Sequence, residues 1–315
     1  MNQVSPELIW WNGRIVPWAE AVVHVTSETA LRGTNVFEGL RAYWRVSTND
    51  FAVIAFNEHL DRLGRSASIF RFPVGHLLPN LARGIEDLNR ELRYCGNLYL
   101  RPTIYLERGD YYTKPDELTL GAFIIGRPVE HRRDQPISCV VSTWQRIADV
   151  ALPTLAKVGA TYTAFRLARM EAAAAGADEA ILLNAKGTVA ETGGAAVFVV
   201  HNREIVTPPL ADGLLDSITR RIVMELLSNH LGIVVSQRSI ARSELYAADE
   251  VFVCGTLDEV RAVGSIDNRQ LPNAPGEITR TVRRIYLDIC EGRQEQGQSW
   301  WIHSVRMPQQ NIDAG

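Results

Sequence analysis

The first stretch of the chain reads as strands. Leu8-Ile-Trp-Trp-Asn-Gly-Arg-Ile-Val-Pro17 is two short apolar runs hinged on Asn12-Gly13, a hairpin signature. Ala21-Val-Val-His-Val25 predicts a further strand. From Asn57 to Ala67 the apolar spacing becomes helical, and residues 77–92 predict a second helix. Residues 97–106 and 118–125 predict strands. Gly126-Arg-Pro-Val-Glu-His-Arg-Arg-Asp-Gln-Pro136 is polar and bracketed by prolines, the composition of a linker.

Downstream the two periods alternate. Ile137-Ser-Cys-Val-Val-Ser142 predicts a strand, and residues 162–175 an alanine-rich helix ended by Gly176. Glu179-Ala-Ile-Leu-Leu-Asn184, a turn at 185–187, Val189-Ala-Glu-Thr192 and residues 195–201 predict a meander. Asp216 and Ser217 are N-cap candidates for a helix over 218–231, closed by Gly232. Ile233-Val-Val235 and Glu250-Val-Phe-Val-Cys254 predict strands, and residues 277–290 a last helix. Strands mixed with helices over 315 residues predict an α/β or α+β chain in two domains. The expected division is a smaller N-terminal α/β domain over 1–126, a linker at 127–136 and a larger C-terminal domain over 137–315.

Composition narrows the function classes. Hydrophobic residues make up 46% and net charge is −3, with arginines interspersed among acids. Nothing here suits nucleic acid or an anionic membrane surface. No apolar run approaches the roughly 20 residues of a membrane span, and the polar N-terminus lacks a signal-peptide core. Cys95, Cys139, Cys254 and Cys290 are too scattered for a metal site and too few for a disulfide scaffold. A cytoplasmic setting is the resulting expectation.

The basic residues carry the sharper signal. Of 33 lysines and arginines only Lys114, Lys157 and Lys186 are lysines. A Schiff-base enzyme needs a lysine amine, which arginine cannot replace. Lys157 lies in the apolar stretch Ala151-Leu-Pro-Thr-Leu-Ala-Lys157-Val-Gly-Ala160, where partial desolvation favours the neutral amine; Lys114 and Lys186 sit in polar turns. Three further features are weak alone. Residues 207–220 form a loop opening into a helix, a phosphate cradle or an ordinary capped helix. Gly255-Thr256 follows a strand, as anion-binding turns and plain turns both do. Glu191 precedes Gly193-Gly194, where a flat ligand can approach the backbone.

Their order is specific. Lys157-Val-Gly-Ala-Thr-Tyr162, Val189-Ala-Glu191-Thr-Gly-Gly194, Ser217-Ile-Thr-Arg220 and Gly255-Thr256 follow Val36-Phe-Glu-Gly-Leu-Arg-Ala-Tyr43, His59-Leu-Asp-Arg62-Leu and Tyr99-Leu-Arg101-Pro. Over roughly residues 8–290 the chain resembles the class IV, or fold type IV, pyridoxal-phosphate aminotransferases, the branched-chain amino acid subgroup in particular. The resemblance implies a two-domain, D-amino acid aminotransferase-like fold whose larger domain binds pyridoxal 5'-phosphate. It implies that Lys157 carries the cofactor as a Schiff base and moves the proton between substrate Cα and cofactor. Glu191 would hold the pyridine nitrogen protonated. Arg62, Thr219, the backbone at Ile218 and Thr256 would bind the phosphate. Tyr162 would bond the phenolic oxygen, Leu215 would pack on the ring, and Gly194 would border it. Phe37, Tyr99, Arg101 and Trp144 would line the substrate pocket, with Thr256-Leu257 near the α-carboxylate. The implied partners are a small amino donor and a 2-oxo acid such as 2-oxoglutarate, in a homodimer or higher homo-oligomer.

Three departures bear on the substrate. Leu31-Arg32-Gly33 stands where the subgroup usually shows His-Tyr-Gly, so a cation replaces an aromatic ring. Gly194-Ala-Ala-Val-Phe198 replaces Gly-x-Asn-x-Phe, and Gly255-Thr-Leu-Asp-Glu259 replaces Gly-Thr-Ala-Ala-Glu. Arg32 is similar to an arginine of the (R)-selective amine transaminases. A hydrophobic L-amino acid transaminase is the expectation, with an (R)-amine or mixed-specificity enzyme as the alternative.

Overall fold

Asn12 and Gly13 take left-handed backbone, φ 46° and 97°, and close the hairpin of Leu8–Trp11 with Arg14–Pro17 that their sequence predicts. In the computed structural model, residues 6–110, 112–132, 134–293 and 300–307 are described. The outer ends of the expected domains and Arg133 of the expected linker lie outside them. Contacts divide the chain into two units, one built from residues of 1–130 with 289–315, the other from 131–288.

Among the described residues, the first unit holds an eight-stranded antiparallel sheet. Its order is Ile302–Arg306, Asp50–Ile54, Leu40–Arg45, Leu98–Arg108, Thr119–Pro128, Leu8–Trp11, Arg14–Pro17, with Asn35–Phe37 also on Leu98–Arg108. The expected helices are present as Phe56–Ile69 and Leu77–Glu91. Leu81, Ile85 and Leu88 recur at helical spacing and are fully buried. Gly84 on the same face lets the Trp10 ring lie where a Cβ would stand 2.6 Å away. Each such aliphatic side chain contributes roughly 1.5–3 kcal/mol by leaving water.

Two expectations fail in this unit. Residues 21–25 form no strand: after Arg14–Pro17 the chain turns through the short helix Trp18–Glu20, and Val22 and Val25 stand exposed. Valine favours a strand only where a neighbour supplies pairing and cover. The tail also departs from the C-terminal domain expected over 137–315. Ile302–Arg306 pairs with Asp50–Ile54, Trp301 is buried, and its carbonyl accepts from Ala55 N at 2.6 Å.

A buried charge cluster ties helix Phe56–Ile69 to the sheet. His59 and Arg62, three residues apart and so on one helix face, both reach Glu38. Arg62 donates through Nε at 2.7 Å and Nη2 at 2.8 Å; His59 Nδ1 lies 2.6 Å away. Burial by itself would raise the Glu38 carboxyl, but the Arg62 and His59 charges and hydrogen bonds hold it well below the carboxylate range.

The second unit carries a nine-stranded mixed sheet. Its order is Val189–Thr192, Glu179–Leu183, Ile137–Val141, Glu259–Ile266, Glu250–Gly255, Ala196–His201, Glu204–Thr207, Ser236–Gln237, with Arg269–Gln270 on Glu259–Ile266. Ile137–Val141 runs parallel to both of its neighbours. The expected meander is therefore broken. After the Glu179–Leu183 and Val189–Thr192 hairpin the chain crosses the sheet, and Ala196–His201 pairs with Glu250–Gly255. Hydrophobic spacing marks strands but not their partners, so this crossing is invisible locally. The strand expected at 233–235 begins only at Ser236, and Val234 is exposed. Helices Thr161–Ala174, Ile218–Leu231 and Glu277–Cys290 match expectation.

Two measurements check this reading. Glu250 receives the amides of Ile278 and Thr279 at 3.2 and 3.0 Å and the Thr279 hydroxyl at 2.8 Å, capping the last helix from the sheet. Glu250→Ala is expected to cost about 2 kcal/mol, the loss of a cap whose partners stay buried, read from urea unfolding of the cofactor-free protein; an unchanged midpoint would refute the cap. Glu38→Gln leaves Arg62 buried without its counter-charge and is expected to cost about 3 kcal/mol near neutrality. Because the folded pKa lies below the unfolded value of about 4.3, the unfolded chain binds the extra proton and acid favours unfolding. The difference between wild type and Glu38→Gln should stay flat above about pH 5 and shrink as pH falls below about 4.

Candidate functional site

Lys157 lies in the loop before helix Thr161–Ala174, between the buried Ala156 and Val158. Its Nζ donates to the Tyr162 hydroxyl at 2.8 Å and stands 5.3 Å from that ring. Tyr162 is in the helix's first turn, so starting the helix at Thr161 brings the phenol back over the lysine. Lys114 and Lys186 are exposed. Of the three lysines the structure half-buries only the one with apolar sequence neighbours.

Contacts lead from this pair to the candidate acid. Tyr162 meets Phe165 edge-on at 5.2 Å, and the Arg146 guanidinium lies 5.2 Å above Phe165. Arg146 Nε donates to Glu191 Oε1 at 2.5 Å, with both side chains buried. Leu215 N donates to Glu191 Oε2 at 3.3 Å. The pairing of Val189–Thr192 slips by one residue between Val189 and Glu191, a bulge that re-aims the side chain following it. Glu191 is thus a buried, oriented carboxylate, where a lone glutamate before two glycines more readily suggests a solvated turn acid.

Leu215 leads into helix Ile218–Leu231. Ser217 caps it, its hydroxyl accepting from Arg220 N at 3.2 Å. The buried residues Ile218 and Thr219 then present first-turn amides, which no carbonyl inside the helix can reach. Of the two N-cap candidates, Ser217 takes the position. Gly194 and Gly255 approach each other: a Cβ on Gly255 would meet the Gly194 carbonyl at 2.8 Å. That closeness brings the Gly193-Gly194 and Gly255-Thr256 turns together. Arg169 lies against Gly193 and Gly194, its Nε 2.9 Å from a Cβ placed on Gly193. Leu257 is half-buried, its carbonyl accepting from Arg132 Nε at 2.9 Å. Trp144 is 47% exposed.

The first unit gathers other predicted residues. Tyr99 and Arg101 alternate on one face of Leu98–Arg108. Arg101 stacks on the buried Phe37 ring at 3.6 Å. The Tyr99 ring packs on Gly39, where a Cβ would come within 2.7 Å of its hydroxyl. Arg62 is the buried partner of Glu38. Arg32 ends the short helix Glu28–Arg32 and pairs with Glu28 one turn earlier.

Several supporting residues escape a reading of the sequence. Arg146 and Arg169 carry no local signal, because one acts across a bulge and the other across a helix-to-strand contact. Glu38 and His59 do lie within the ordered motifs, and the three-residue spacing of His59 and Arg62 is enough to put both on one helix face.

This arrangement has known counterparts. A family model described as amino-transferase class IV matches residues 35–266. A probable branched-chain-amino-acid aminotransferase of Aquifex aeolicus is 33% identical, over 95% of this chain and 97% of its own length. The branched-chain amino acid aminotransferase of Thermobaculum terrenum, solved in its PLP-form, superimposes with a TM-score of 0.89 at 36% identity, covering 97% of this chain and 100% of that one. That of Escherichia coli gives a TM-score of 0.90 at 32% identity, over 96% of this chain and 100% of that one. With the family model spanning most of its length and these relatives nearly all of it, the chain belongs to the class IV aminotransferases.

Proposed function

We propose that the protein transfers an amino group from a hydrophobic L-amino acid of the branched-chain type to 2-oxoglutarate or another 2-oxo acid, by a ping-pong route with pyridoxal 5'-phosphate. The observation that carries this is the contact path from the Lys157–Tyr162 pair to the buried Glu191. An amine, a phenol and an oriented carboxylate are the donor set this cofactor needs, and the Ile218 and Thr219 amides at a helix start suit a phosphate. The residues therefore fit the group. Lys157 would hold its carbonyl carbon, Tyr162 its phenolic oxygen and Glu191 its ring nitrogen. Leu215 would cover the ring, Gly194 would border it, and Ile218, Thr219 and Thr256 would take the phosphate.

When bound, the cofactor supplies a carbonyl that condenses with amines and a ring that stores the electron pair released at the substrate's Cα. The protein's own part is positional and acid–base. Tyr162 fixes the direction of the Lys157 amine, which takes the Cα proton and returns it. Arg146 fixes Glu191 so that its charge can hold a proton on the ring nitrogen. In the first unit we assign Arg62 to the phosphate on the resemblance, and Glu38 sets its orientation. Arg32, Phe37, Tyr99 and Arg101 there, with Trp144 and Leu257 of the second unit, are assigned to the substrate. Self-association to a homodimer or higher homo-oligomer is supported by the exposed apolar residues Trp18, Val22, Val25 and Leu31. Four free thiols support a reducing cytoplasm.

The test is turnover. Protein loaded with cofactor is expected to convert L-leucine and 2-oxoglutarate to glutamate, faster than it uses D-alanine or (R)-1-phenylethylamine. Lys157→Ala should lose at least about a thousandfold in kcat, the scale on which removal of a covalent nucleophile is felt. A fully active Lys157→Ala enzyme would sink the proposal, and preference for the (R)-amine would turn it to the alternative substrate class.

A further inference from the structure

The hairpin that carries Thr256 closes in an unusual way. Strands Glu250–Gly255 and Glu259–Ile266 pair up to Gly255 opposite Glu259, so only Thr256, Leu257 and Asp258 join them. A three-residue loop of this kind closes on a residue in the left-handed region, where glycine is the ordinary occupant. Here the residue is Glu259, with φ 56°, and it is fully buried. A Cβ disfavours this backbone and burial disfavours the charge, so both local preferences oppose a glutamate.

What offsets them is a circuit of hydrogen bonds. His131 Nδ1 lies 2.8 Å from Glu259 Oε1, and Arg132 N donates to Oε2 at 3.1 Å. Arg283 Nη1 stands 3.7 Å from Oε2. Arg132, fastened at its amide, returns to the turn: its Nε donates to the Leu257 carbonyl at 2.9 Å. The Arg132 carbonyl in turn accepts from Arg283 Nη2 at 2.6 Å. In a trans peptide C=O and N–H point opposite ways. Drawing the Leu257 carbonyl to Arg132 therefore directs the Asp258 amide to the other side of the turn, and the orientation of that peptide depends on the Glu259 carboxylate.

We propose that Glu259 is a positioning residue, which through Arg132 sets the backbone of the 256–258 turn for the substrate's α-carboxylate. This rests on the transaminase reading, in which that turn meets the carboxylate. The two fail separately. A wild-type enzyme that does not bind carboxylates defeats the reading of the turn; one that binds them equally well without Glu259 defeats only the positioning role.

The probe is 4-methylvalerate, which has leucine's carboxylate and branched chain without the amino group, titrated into the cofactor-loaded enzyme by calorimetry. Glu259→Gly is the informative variant because three explanations predict different signs. A purely structural glutamate predicts unchanged binding whatever the melting temperature does, since glycine suits the left-handed position but leaves the partners of Glu259 without their acceptor. Electrostatics by themselves predict tighter binding, since a negative charge near an anion is removed. Positioning predicts weaker binding: an approximately tenfold higher Kd, the scale of one misplaced amide donor, with the KM for L-leucine raised in parallel and kcat changed little. Glu259→Gln keeps the length and one acceptor and should restore most of the affinity. Should Glu259→Gly fail to fold, Glu259→Gln decides by the sign of its smaller effect. Binding equal to or tighter than wild type, in whichever variant folds, overturns the proposal.

Discussion

The second unit is organised around one buried ion pair. Arg146 and Glu191 meet at 2.5 Å with both side chains out of water. Neither would be stable there without the other, because an unpaired buried charge costs several kcal/mol. The pair joins the strand Val189–Thr192 to the loop that leads towards Lys157. It also fixes Phe165 beneath the guanidinium, and Phe165 carries Tyr162. The position of the lysine's phenolic partner is therefore coupled to the orientation of the acid. For chemistry that needs an amine and a carboxylate at fixed separation, such coupling gives precision that independent loops would not.

The division of labour between the basic residues follows from the different chemistry of guanidinium and amine. Arg41, Arg62, Arg146, Arg220 and Arg283 are all buried, each with a carboxylate or carbonyl partner. A permanently charged fork with several donors suits such structural places. Lysine in those positions would be liable to deprotonate, and arginine in place of Lys157 could never do so. The scarcity of lysine is thus the complement of heavy arginine use, and Lys157 is the half-buried amine among the three lysines.

What the sequence made legible is what depends on neighbours along the chain. The Asn12-Gly13 hairpin, the helices and the Ser217 cap follow from local pattern. Lys157 stood out by its apolar flanks. What stayed hidden depends on residues distant in sequence. The crossing after Thr192 is set by the partner strand Glu250–Gly255, and the tail strand by Asp50–Ile54. Residues 21–25 show the reverse error, a strand-like run left without a partner. At the site, Glu191 was visible as a residue while Arg146 was not, and Glu259 lies in a legible motif although nothing local reveals that its backbone is left-handed.

The departure at Asp258 illustrates how such a framework absorbs a new charge. An acid stands where the subgroup usually has alanine, in the very turn read as an anion site, and should repel the ligand. Burial pushes its carboxyl up from the ordinary value, although Arg132 and Arg261, each 3.9 Å away, pull it down. Arg169, which lies against Gly193 and Gly194, adds to that pull. Arg132, Arg261 and Arg169 together offset the added charge, so the turn keeps a balance compatible with an anion. Arg132 takes part both in this compensation and in holding the Leu257 carbonyl. A substitution that alters charge at the turn and the device that sets its geometry therefore meet in one side chain, and neither can change without the other being felt.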